Sequence, residues 1–160
     1  MMTLLRRYLV LVALMFWQGG FTFYASVVVP VGQSVLGHPT QAEVTERVTV
    51  YLNIAGLVSL LPLLWDNLVC ASSSARIKLG RWLMWLGLAI TLALLFWLHG
   101  QLVEMLTERS SSAGSFRTGH RWYLWVSTVQ WLFGIGYGLL ALLAWREEDR
   151  LAHHSPKISS

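Results

Sequence analysis

Four stretches of this chain contain no Asp, Glu, Lys or Arg: residues 8–31, 48–65, 82–103 and 122–145. A helix rises ~1.5 Å per residue and a bilayer's hydrocarbon core is ~30 Å thick, so about 20 apolar residues cross it. The second stretch reaches that length by running past Asp66 to about residue 69. This pattern predicts an all-α, integral membrane four-helix bundle with spans of about 8–31, 48–69, 82–103 and 122–145. An ordinary soluble domain is excluded, because only 12% of the residues are charged where ~25% is usual. The connecting stretches are too short to fold alone. Residues 1–150 therefore read as one transmembrane domain and 151–160 as a flexible cytoplasmic tail.

Orientation follows from the bases. Arg6 and Arg7 precede the first span; Arg76, Lys78 and Arg81 lie between the second and third; Arg146, Arg150 and Lys157 follow the fourth. The opposite side holds Arg47, Arg109, Arg117 and Arg121. The positive-inside rule then places both termini in the cytoplasm and the chain, multi-pass, in the cell (inner) membrane. Two arginines before an apolar run also open a signal peptide, but a run of 24 residues exceeds the usual ~7–15 of such a segment, so the first helix is expected to be retained. Trp65, Trp82, Trp85 and Trp145 fall near the cytoplasmic boundary and Trp122 and Trp125 near the outer one, where an indole meets headgroups and acyl chains together. Trp17, Trp97 and Trp131 lie deeper.

Several chemistries lose their basis. A single cysteine, Cys70, makes no intramolecular disulfide and no exchange centre. No His-Glu-x-x-His zinc motif, phosphate-cradling glycine loop or nucleophile elbow is present. The basic excess is accounted for by loops facing anionic lipid, so nucleic acid is not expected as a partner. With the 12 bases and 8 acids all outside the uncharged stretches, a midplane proton relay has no candidate residue.

Polar side chains gather instead toward the outer helix ends: Tyr24, Ser26, Pro30 and Gln33; His38, Glu43, Glu46 and Asn53; His99, Gln101 and Glu104; His120, Tyr123, Ser127 and Gln130. Of these, Tyr24, Asn53, His99, His120, Ser127 and Gln130 are the candidate ligand-binding residues. His120, Ser127 and Gln130 share one broad helical face, at about 100° per residue. His99 and His120 are also the candidate metal ligands, since imidazoles from two antiparallel helices at similar depth can hold haem or copper. The alternative is that each bonds a carbonyl, Glu104 or a headgroup, and no cofactor is required.

Gly134 and Gly138 form a small-x-x-x-small pair that permits close helix approach, within the bundle or in a homodimer. Gly19, Gly20 and Gly56 serve the same purpose in the first two helices. Pro62 is expected to kink the second span or leave a backbone gap. Residues 107–119, rich in serine, read as a mobile connection, and Arg76, Lys78 and Arg81 are placed to meet anionic headgroups.

The segment Gln18-Gly-Gly-Phe-Thr-Phe-Tyr24, the four spans and the Phe116-x-x-x-His120 entry to the last helix resemble the small four-helix membrane domain shared with transmembrane protein 205. The resemblance implies the architecture; no catalytic residue comes with it. The sequence reading is a membrane accessory component that binds a ligand, lipid or protein partner through its outer polar cluster. A small transporter or a haem- or metal-handling protein is the alternative, and a membrane enzyme using His99 or His120 as acid or base comes third.

Overall fold

The computed structural model describes residues 1–71, 74–107 and 113–154, without the side chains of 38–39, 106–107, 113–117 and 154. Four helices follow one another: α1 (Met2–Leu36), α2 (His38–Val69), α3 (Ala75–Thr107) and α4 (Ala113–His154). All four are long and apolar enough to cross a membrane. Among the described residues there is no strand.

The helices outrun the uncharged stretches that announce them. Gly37 alone divides α1 from α2, at φ 79° and ψ 161°, a conformation that favours glycine. His38, Glu43 and Glu46 therefore belong to α2 rather than to a loop. The connection expected over 107–119 is shorter, because α4 starts at Ala113; residues 108–112 lie outside the described residues. At the other end α4 continues through the charged 146–150 run to His154, so the tail expected from residue 151 begins as helix. Residues 155–160 also lie outside the description.

α1 is not a uniform α-helix. It contains π-helical turns at Met15–Gly19 and Tyr24–Val28. Thr22 and Ser26 donate their hydroxyls to the Gln18 and Thr22 carbonyls, four residues back, the kind of side-chain bonding that disturbs a helical ladder. The second wide turn also contains Ser26, whose carbonyl the Pro30 ring would meet in a regular helix.

Side-chain packing fixes an up-down-up-down order. Going along α1, Arg6, Trp17, Gly20 and Gly32 meet Asp66, Gly56, Leu52 and Gln41 of α2 in reverse sequence. Likewise Gly80, Met84 and Gly87 of α3 meet Leu140, Gly136 and Phe133 of α4. The start of α1 and the end of α4 thus share one end of the bundle, called here the charged end. The core between the helices is made of Val10, Trp17, Leu60, Leu63, Leu88, Leu92, Tyr137, Ala141 and Trp145. Outward faces stay apolar and exposed, as with Phe16, Leu61, Trp97 and Leu139, which suits acyl chains rather than water.

The glycines have different surroundings. A methyl at Gly56 would stand 2.7 Å from the Trp17 indole, one at Gly134 2.5 Å from the Gln18 amide, and one at Gly138 3.7 Å from Leu14. Gly20 approaches Leu52, whereas a methyl at Gly19 would meet nothing within 4 Å. Gly134 and Gly138 are thus covered from within the chain, by α1. α2 stays helical through Pro62. Close to this proline, Trp85 Nε1 donates to the Leu60 carbonyl at 3.1 Å and the Tyr137 hydroxyl to the Leu63 carbonyl at 2.7 Å, fastening α3 and α4 to α2.

Candidate functional site

Two polar centres lie inside this apolar bundle. The first, at the charged end, draws on every helix. Asp66 of α2 is fully buried and stands between two arginines. Arg6 Nε of α1 lies 2.9 Å from Oδ1, off the N–H axis and so an ion pair without a directed hydrogen bond. Arg81 Nη2 of α3 donates to Oδ2, and Trp145 Nε1 of α4 donates to Oδ1 at 3.1 Å. Arg6 also bonds Glu148, and Arg7 bonds Glu148 at 2.9 Å and forks onto Asp149 at 3.0 and 2.7 Å.

Three arginines thus face three carboxylates, and the cluster is neutral. Neutrality decides whether it can exist at all: a lone ion loses several kcal/mol when taken out of water, and only well-placed opposite charge returns it. Tyr137 completes the set, with its ring 5.8 Å from the Arg81 guanidinium and its hydroxyl 3.3 Å from Asn67 Oδ1. Arg81 is 2% exposed, which corrects the expectation that it meets headgroups. Trp145, expected at the membrane boundary, is 6% exposed with its N–H on Asp66. Cys70 sits half-buried beside the cluster, 3.9 Å from Glu148. Burial pushes its thiol pKa up, and nearby Arg81 only partly opposes that shift.

The second centre lies about 20 Å away along α2, the rise from Asp66 back to Asn53. Asn53 of α2 and Ser127 and Gln130 of α4 are all buried. The half-buried Tyr123 side chain approaches both Asn53 and Ser127, while the Ser127 hydroxyl donates to the Tyr123 carbonyl at 2.9 Å. Among the described residues Gln130 Nε2 has no acceptor, and Asn53 Nδ2 makes no well-formed hydrogen bond although the Tyr123 side chain stands by it. Each buried amide without a partner costs about 1–3 kcal/mol.

The remaining candidates separate. The Tyr24 hydroxyl donates to Thr45 at 3.0 Å and receives Gln41 Nε2 at 3.4 Å, so it belongs to an α1–α2 contact next to the Gly37 turn. Gln41 is 2% exposed and fills the hollow over Gly32. His99 is half-buried on α3 and His120 exposed on α4. Among the described residues no group of three or more His, Cys, Asp or Glu side chains is placed to hold a metal.

The charged centre escapes a sequence reading that counts only bases. The positive-inside rule discards acids, yet Asp66, Glu148 and Asp149 stand at the same end as Arg6, Arg7 and Arg81. Charges of opposite sign flanking all four spans at one end were the available signal. Comparison with family models, with curated proteins and with solved structures gives no match.

Proposed function

We propose that this chain is a non-enzymatic, multi-pass membrane component that binds an acceptor-bearing molecule between α2 and α4, at the end of the bundle away from the termini. The observation that carries this reading is the buried Gln130 amide, which has no partner among the described residues, together with the buried Asn53 amide, which makes no well-formed hydrogen bond with the Tyr123 side chain beside it. A carbonyl, carboxylate or similar group entering there relieves the desolvation cost of a buried amide donor. The charged end is a static lock in this reading, since its carboxylates are already engaged by arginines and burial pushes up the pKa of the Cys70 thiol beside Glu148. The basic excess at that end supports a cytoplasmic location for both termini.

The test is purification of the full chain in mild detergent, with mass-spectrometric identification of every small molecule and protein retained and an optical spectrum of the same sample. A molecule retained by the wild type and lost from both Asn53→Leu and Gln130→Leu supports the proposal. Equal retention by these variants overturns it. A haem absorption band or stoichiometric copper that survives both substitutions replaces it with the metal-handling reading.

A further inference from the structure

Residues 146–150 read Arg-Glu-Glu-Asp-Arg, a run with one more acid than base and no evident affinity for anions. Folding sorts those charges. Glu147 accepts the Ser74 backbone N–H at 3.3 Å, Glu148 pairs with Arg6 and Arg7, and Asp149 pairs with Arg7. All three acids are thus engaged by the bundle. Arg146 and Arg150 are exposed and form no ion pair with any described residue.

Both line an open groove of about 510 Å³ between α4 and Arg7 of α1. Its α4 wall is a single helical stripe in steps of three and four, in which Leu142 and Trp145 come first, then Arg146, then Asp149 and Arg150, then His153. The stripe rises ~16 Å from its apolar to its basic end. Arg7 is neutralised by Asp149 and lies 5.6 Å over the Trp145 ring, which leaves the two free arginines as the groove's excess charge. Apolar wall on the membrane side, followed by positive charge at the helix end, is the order of acyl chain and phosphate in a phospholipid.

We infer that this groove holds an anionic phospholipid, with its phosphate against Arg146 and Arg150 and the start of its acyl chains along Leu142 and Trp145. The site is separate from the amide centre and does not rest on the ligand proposed there. Charge complementarity selects the occupant: a zwitterionic lipid brings its own cation to a groove that already has two.

The experiment is native mass spectrometry of the full chain, delipidated in detergent and titrated with phosphatidylglycerol, phosphatidylcholine or inorganic phosphate. Phosphatidylglycerol is expected to bind in preference to phosphatidylcholine, and R146Q/R150Q to weaken it about 30-fold. R146K/R150K, which keeps the charge, and R76Q/K78Q, which removes two bases elsewhere at the same end, both retain the preference. Equal binding of the two lipids overturns the inference, as does an equal loss in R76Q/K78Q. Full displacement of the lipid by inorganic phosphate also overturns it, by assigning the arginines to a free anion. Both arginines are exposed and unpaired, and an unchanged melting temperature of R146Q/R150Q verifies that its loss is one of binding.

Discussion

Arg6 and Asp66 form an ion pair at 2.9 Å with side chains only 3% and 0% exposed, and that pair ties the start of α1 to the end of α2. Arg81 and Trp145 close on the same carboxylate from α3 and α4, so one side chain joins all four helices.

Asp66→Asn leaves Arg6 with Glu148 as its remaining acid and Arg81 buried with no carboxylate partner among the described residues. The expected loss is about 3–5 kcal/mol, measured by thermal unfolding in detergent. Replacing the triad together, Arg6→Met with Asp66→Leu and Arg81→Met, should cost much less than the single change, because no unpaired charge stays buried. If the triple variant unfolds well below Asp66→Asn, desolvation is not what governs this cluster.

Tyr137→Phe removes the hydroxyl that reaches the Leu63 carbonyl at 2.7 Å and Asn67 at 3.3 Å and leaves the ring in place. A loss of about 1–3 kcal/mol is expected in the same unfolding measurement. Trp85→Phe, which deletes a half-buried bond to the Leu60 carbonyl, should cost less.

Glycine substitutions should separate by surroundings. Gly56→Ala forces the buried Trp17 indole to move, since the methyl would lie 2.7 Å from it, and should cost about 1–3 kcal/mol. Gly19→Ala meets open space and should be neutral or stabilising by up to about 1 kcal/mol. Melting temperatures of the two variants decide the matter.

Cys70 offers a readout of the charged end. With its thiol pKa raised by burial, little thiolate exists near neutral pH, and maleimide labelling should be slower than for a small free thiol. The rate should climb as the pH passes above the ordinary thiol range. Asp66→Asn, by loosening the cluster, should speed labelling at pH 7. A wild-type rate in that variant would show that the cluster does not shield the cysteine.

Much of the fold was legible in the sequence, because excluding charge from four apolar runs is a strong requirement of lipid. Helix ends were less so. Residues such as Glu43, Glu46 and 146–150 are polar, and hydropathy stops at them although the backbone does not. Among candidate site residues, Asn53, Ser127 and Gln130 are buried polar groups on α2 and α4. Tyr24 goes to Gln41 and Thr45 instead, a pairing set by the reversal at Gly37. The charged centre was hidden because Asp66, Arg6 and Glu148 are remote in sequence and acquire their meaning only when four helix ends converge.

The two π-turns of α1 bear on more than local shape. Bonding from i to i+5 takes an extra residue into the turn, and one residue is worth ~100° of rotation about the axis. The stripe that carries Arg6 and Val10 toward the bundle is therefore re-aimed at Met15–Gly19 and again at Tyr24–Val28. Residue count along α1 thus sets azimuth as well as depth. Deleting one residue from the first wide turn would leave enough helix to cross the bilayer, yet would swing Arg6 and Arg7 about a quarter-turn away from Asp66 and Glu148.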